Sequence, residues 1–318
     1  MNTHQYLRSL VSRTATTFLK LVKIMLPVMI FVRIADQLGF SKWLGDVLAP
    51  VMCLVGLPGE AGLVWAIALL TGFYGGVGGL VALVATVELT ALQLNILLSM
   101  IMFAHALPVE QSIVRAAGVS AVATGLVRIA TAITFGFLLW HIGSATEVLT
   151  EPAQLGFLPE VQTDTGWLAW TISTIRTLGF MLLILFVLLA LLDCIRRIGL
   201  FDRLTALLTP FFRMIGIVPA LAPLVTIGML LGLSYGGGLI VEETKKRQYS
   251  RRELFTPLAG LSIIHAVLED TFVAIALGAN IWIILVWHTL YAFAVIALIG
   301  GIIQLWPRKT IAPKRHSL

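Results

Sequence analysis

Residues 71–80, TGFYGGVGGL, and residues 231–240, LGLSYGGGLI, decide how this chain is read. Each closes an apolar stretch that begins about ten residues earlier. Residues 61–72 as a helix rise about 18 Å, enough to reach the middle of a hydrocarbon core of about 30 Å but not to cross it. Glycine runs at that depth permit a chain reversal or a close backbone approach. The bland alternative is one bent crossing helix with glycines at its packing contacts.

The surrounding composition makes the membrane the solvent. Of 318 residues, 58% are apolar and 12% charged, and the mean hydropathy is +0.97. A soluble domain runs near half apolar and a quarter charged. The net charge of +6 is spread beside apolar runs and forms no nucleic-acid patch. Cys53 and Cys194 lie in different halves with no CxxC spacing, so neither a disulfide framework nor a thiolate metal site is indicated. Apolar segments cover about 16–36, 61–87, 91–117, 121–142, 169–195, 219–241, 254–277 and 280–306. The first carries Lys20, Lys23, Arg33 and Asp36 and reads as a retained, rather polar helix. Shorter amphipathic stretches at 40–54 and 200–214, expected to break at Pro50 and Pro210, read as surface helices.

The two glycine runs belong to a duplication. An ungapped offset of 160 residues aligns Gly39 with Gly199, Pro50 with Pro210, Gly72 with Gly232, Gly76 with Gly236, His105 with His265 and Gly118 with Gly278. Basic residues mark the cytoplasmic side of membrane segments. Arg8 and Arg13, the 196–213 segment, the 245–252 run and the tail after residue 307 are all basic, whereas 143–168 is acidic. All basic loops share one side only if 61–87 and 219–241 enter and leave on the same face. Each half then has three crossings and one re-entrant hairpin, and the halves are inverted. The expected fold is an all-α polytopic membrane protein: 1–142 the first repeat, 143–168 an external acidic connection, 169–306 the second repeat, 307–318 a basic tail.

Polar residues inside these segments carry the functional reading. His105 is followed by Glu110, and His265 by Glu269, Asp270 and Thr271. Intramembrane ionisable groups are costly and face a cavity, a partner or a transport path. His265 and Glu269 share a helix face, whereas His105 and Glu110, five apart, converge only if Pro108 kinks the helix. Such a set can carry protons, hydrogen-bond a polar solute or hold a first-row divalent metal, with His105, His265 and Glu269 as the metal candidates. The plain structural role is to tie helices to hairpins, with Arg128 or Arg115 neutralising Glu110. Tyr74, Gly76, Ser234 and Gly236 on the glycine runs complete the substrate-site candidates. The offset places Arg128 opposite His288. No GxSxG, P-loop or HExxH motif is present, which disfavours an enzyme, and nothing calls for a cofactor.

The hairpin followed by LEDTFVAIALGAN (268–280), with FAHALPVEQSIVRAAG (103–118) as its related copy, resembles the nucleoside-recognition or gate domain. Concentrative nucleoside transporters, the membrane part of the ferrous-iron transporter B family and the spore maturation proteins A and B share it. The resemblance spans about 38–118 and 198–278. It implies that Glu269 and Thr271 sit near substrate. The chain lacks the GTP-binding domain of the iron transporters and the Gln-Thr-Glu hairpin signature of nucleoside transporters.

These readings converge on a secondary transporter of the bacterial inner membrane with both termini cytoplasmic. Its partners are the bilayer and a small solute, nucleoside-like or an ion, and not nucleic acid; a homo-oligomer is compatible. The alternatives are a divalent-metal transporter and a non-transporting membrane partner protein. Single cysteines placed in the loops, on a background without Cys53 and Cys194, test the topology with an impermeant thiol reagent. Residues 81–90 and 143–168 should label from outside and 242–253 only from inside; external labelling of 242–253 contradicts the hairpin topology.

Overall fold

The computed structural model describes residues 3–84, 87–155 and 166–305, so the middle of the acidic connection and the basic tail lie outside the described residues. Among the described residues the architecture is all-helical, with one isolated bridge, Thr90–Pro152. The first repeat contains α1 (Thr3–Gln37), α2 (Phe40–Leu54), α3 (Ala61–Thr71), α4 (Phe73–Leu83), α5 (Ala91–Phe103), α6 (Leu107–Ala116) and α7 (Ala121–Ala145). The second contains α8 (Trp167–Arg197), α9 (Leu200–Met214), α10 (Ala222–Leu231), α11 (Leu233–Lys246), α12 (Arg251–Ile263) and α13 (Val267–Ala276). A π-helical turn, Trp282–Trp287, then runs into α14 (His288–Leu305).

Local chemistry repeats with the 160-residue offset. Thr90 and Gln93 form a capping box at the start of α5, and Ser250 and Glu253 form its counterpart at α12. Each box satisfies two backbone donors that a helix start leaves free. Positive φ recurs at Gly39 and Gly199, Gly56 and Gly216, Gly72 and Gly232, Ala106 and Ala266, and Gly118 and Gly278.

The glycine runs form helical hairpins. Gly72, at φ 114° and ψ 179°, and Gly232, at φ 109° and ψ 155°, occupy a region open essentially to glycine alone, and each joins two short helices through one residue. A Cβ on Gly76 would stand 2.7 Å from Ala68 Cβ, and one on Gly79 would stand 3.5 Å from Val64 Cα. The paired numbers run in opposite senses, so α3 and α4 are antiparallel. In the second hairpin a Cβ on Gly236 would lie 2.3 Å from Gly228 Cα. Backbone meets backbone there, which only glycine allows.

Among the described residues, five helical segments are long and apolar enough to cross a membrane: Ala91–Ala116, Ala121–Ala145, Trp167–Leu191, Arg251–Ala276 and Trp282–Leu305. Six crossings were expected from the sequence. α1 has the length, at 35 residues, and carries Lys20, Lys23 and Arg33 within its apolar stretch. The apolar windows of α5–α6 and α12–α13 are each 72% buried, against 28–39% for α7, α8 and α14–π, so the first two form the centre and the others the apolar exterior. α1 and α8 pack antiparallel. Arg13 pairs with Asp193, the Arg33 guanidinium lies 5.9 Å from the Trp167 ring centroid, and that of Arg197 lies 4.7 Å from Tyr6.

Two local expectations are corrected. α2 and α9 run through Pro50 and Pro210 rather than breaking there. Each proline stands near the C-terminal end of its helix, where it removes a single interior hydrogen bond. The long runs 91–117 and 254–277, in contrast, are not continuous helices. They unwind at Ala104–Ala106 and Ile264–Ala266, while Pro108 sits in the first turn of α6, where its missing N–H costs nothing.

Glycine substitutions along the hairpins separate close packing from plain helix propensity. Gly236→Ala is expected to lower the thermal unfolding midpoint in detergent strongly and Gly76→Ala less, because the new Cβ would meet backbone at 2.3 Å in the first case and Ala68 Cβ at 2.7 Å in the second. Gly238, with nothing within 4 Å, should tolerate alanine or gain up to about 1 kcal/mol. Gly62, away from the tip, is no neutral control, since a Cβ there would meet Leu48 Cβ at 2.7 Å. Equal effects at Gly236 and Gly238 would remove the hairpin contact from the account.

Candidate functional site

The two helix breaks face one another. His105 Nε2 and His265 Nε2 are 3.1 Å apart. The two residues are equivalent under the 160-residue offset. Both rings are oriented by their own helices. His105 Nδ1 lies 2.9 Å from the Ile101 carbonyl oxygen and His265 Nδ1 lies 2.8 Å from that of Leu261. A carbonyl only accepts, so each Nδ1 carries the proton and each Nε2 turns inward.

Glu110 closes the triangle. Its Oε1 lies 3.0 Å from His265 Nε2 and 3.4 Å from His105 Nε2, while Oε2 accepts from Arg128. Arg128 is fully buried and also donates its Nε–H to the Phe103 carbonyl at 2.9 Å, capping the open end of α5. The Ala106 N–H donates to the Ala68 carbonyl at 2.9 Å, which fastens the first break to the first hairpin. Ala106 and Ala266 hold left-handed backbone at φ 47° and 50°. For a residue with a Cβ this conformation is strained by about 1–2 kcal/mol, a cost met where backbone must open at a site. Glu110 stands in the first turn of α6, and Glu269 and Asp270 in that of α13, where the helix dipole favours anions.

The sequence candidates do not all meet at one place. His105, Glu110 and His265 converge, and the break explains it: lifting His105 out of the helix removes the angular obstacle that a continuous helix imposes. Glu269 does not join them. With the helix interrupted at His265, the shared-face argument no longer applies, and Glu269 instead accepts from the Tyr74 hydroxyl at 2.6 Å, linking α13 to the first hairpin. Asp270 and Thr271 are buried, and Asp270 Oδ2 and Thr271 Oγ1 have no hydrogen-bond partner. Gly76 and Gly236 act as hairpin contacts, and the side chain of Ser234 lies outside the described residues. The metal candidates therefore regroup as His105, His265 and Glu110, whose ligand atoms all lie within 4.8 Å of one another.

His288 adds a residue that the sequence reading placed only as the partner position of Arg128. It is buried beneath Phe103, ring centroids 3.9 Å apart, with both nitrogens lacking partners. The offset also pairs Glu110 with Asp270. One repeat thus carries a Glu–Arg ion pair where the other carries Asp and His at the equivalent positions. Arg128→Met should destabilise by about 3–5 kcal/mol, since it strands a buried carboxylate. Adding Glu110→Gln should recover a substantial part of that loss in thermal or denaturant unfolding. A double variant no better than Arg128→Met alone would show that the pair is not the main role of Arg128.

Comparison with known proteins supports the membrane assignment. No family model matches the chain, and no solved structure does. The chain is similar to an uncharacterized membrane protein, YvoD, of Bacillus subtilis (strain 168), at 28% identity over 285 residues, covering 87% of this chain and 88% of the relative. Sequence, fold and relative agree on a membrane protein, and the described residues of this chain are all-helical with several candidate spans.

Proposed function

We propose that this protein is a secondary transporter of the bacterial inner membrane, moving a small polar solute or ion by alternating access between two inverted repeats, with both termini cytoplasmic. One observation carries the reading. Two apolar helices are interrupted at equivalent positions, and the interruptions meet through His105 and His265 at 3.1 Å. Open backbone inside a membrane is tolerated where protein covers it or where it lines a path, and broken helices at a repeat interface are how transporters build substrate sites.

Inversion is supported by α1 and α8, which occupy equivalent places in the repeats and run antiparallel. An axis along the membrane normal would make them parallel. The loop ends agree with it. Ala91 N–H donates to the Glu151 carbonyl at 2.8 Å, which gathers the acidic connection and the start of α5 at one end. Arg252 donates to the Gln304 carbonyl at 2.6 Å, which gathers the equivalent ends of the second repeat.

In the closed arrangement the three inward atoms stand at hydrogen-bond spacing, so only an ion fits among them. A larger solute requires the repeats to part. Asp270 Oδ2, Thr271 Oγ1 and Ser262 Oγ, all buried without partners, then supply polar groups for it. The resemblance to the nucleoside-recognition domain favours the same kind of site and places Glu269 and Thr271 beside it.

Alternating access is tested at Thr271. A Thr271→Cys variant, free of Cys53 and Cys194, should react with an impermeant thiol reagent in both right-side-out and inside-out vesicles. Reaction from one face only, or from neither, contradicts transport and favours a membrane protein that only binds a partner.

A further inference from the structure

We propose that His105, His265 and Glu110 bind one divalent first-row transition-metal ion, with Asp270 of the opposite repeat supplying countercharge. Both Nδ1 atoms donate to helix carbonyls, so in the neutral rings both Nε2 atoms carry the lone pair, and they face each other and a carboxylate oxygen. Three potential ligand atoms, two imidazole nitrogens and one carboxylate oxygen, stand 3.0, 3.1 and 3.4 Å apart. A proton placed on any one atom lies along one edge of this triangle and leaves lone pairs opposed elsewhere. A cation above its centre bonds all three.

The spacing fits an ion of that class. Tetrahedral zinc, with bonds of about 2.0–2.1 Å, sets its ligand atoms about 3.3–3.4 Å apart. Two imidazoles and a carboxylate suit first-row ions such as Zn²⁺ better than Ca²⁺ or Mg²⁺, which take oxygen ligands. The outer shell is complete as well. Ile101 and Leu261 carbonyls orient the rings, and Arg128 holds the other oxygen of Glu110, the support that metal-ligating His and carboxylate groups need.

Arg128 cancels the charge of Glu110, so a bound dication needs another anion. Asp270 is 4% exposed with Oδ2 unpartnered. It is also the counterpart of Glu110 under the 160-residue offset.

The proposal names an ion for the site of the transport reading and rests on that reading only for the ion being cargo. Binding is measured without transport, so either can fail while the other stands. Purified full-length protein, stripped with chelator in detergent, is titrated with Co²⁺ and Zn²⁺. One Co²⁺ per chain is expected, with the intense visible bands of a tetrahedral nitrogen–oxygen site, and Zn²⁺ should displace it. His105→Gln and His265→Gln should each weaken binding more than about 100-fold, beyond the 10–100-fold usual for outer-shell changes. His141→Gln, at an exposed histidine of α7, should leave binding unchanged. If the site variants fail to fold, the wild-type spectrum still decides. A six-coordinate aquo-like spectrum, no stoichiometric binding below millimolar, or binding that survives both site substitutions overturns the metal site.

Discussion

A carboxylate in an apolar interior must be held by charge and hydrogen bonds, and Glu110 is where this molecule meets that constraint. One oxygen accepts from Arg128, itself fully buried, and the other faces two imidazole nitrogens. Arg128 reaches Glu110 while capping the Phe103 carbonyl, so the same guanidinium satisfies the broken helix end and the charge beyond it. An unpaired buried charge is costly enough to force such an arrangement. Around it the break, the hairpin and the second repeat take fixed places: Ala106 is tied to Ala68, His265 to Glu110, and Tyr74 to Glu269.

The scaffold is symmetric and the chemistry is not. Capping boxes, glycine hairpins, left-handed alanines and inward histidines recur in both halves at one offset. The charged partners differ, with Glu110 and Arg128 in the first half against Asp270 and His288 in the second. A symmetric frame gives two matched helix breaks that can meet on an axis. One side is a fixed ion pair and the other holds buried polar atoms without partners.

Much of the fold was legible because glycine, proline and histidine in constant register are hard to obtain by chance in so apolar a chain. The offset paired the two glycine runs and the two histidines, and the basic loops pointed to hairpins. The pairing inside the site was less legible, and the reason is local. A continuous helix assigns His265 to Glu269 and separates His105 from Glu110; three unwound residues reverse both assignments. A hint existed in the repeat itself, because His-Ala followed by acid at matched spacing pairs Glu110 with Asp270 rather than with Glu269. Nothing in periodicity signals that Ala106 and Ala266 take left-handed backbone, since tertiary contacts impose it. Nor does sequence alone choose between Arg128 and Arg115 for Glu110, because that choice depends on how α7 lies against α5 and α6.

The central claim is that the two repeats meet through His105 and His265 as a single unit. A double-mutant cycle on thermal stability tests it most directly, using His105→Gln, His265→Gln and the pair together in purified protein. Residues in direct contact show non-additive effects, whereas independent sites add to within about 0.5 kcal/mol. The account predicts that the double variant is little less stable than either single one. Simple additivity of the two losses would place the histidines in separate environments and contradict it.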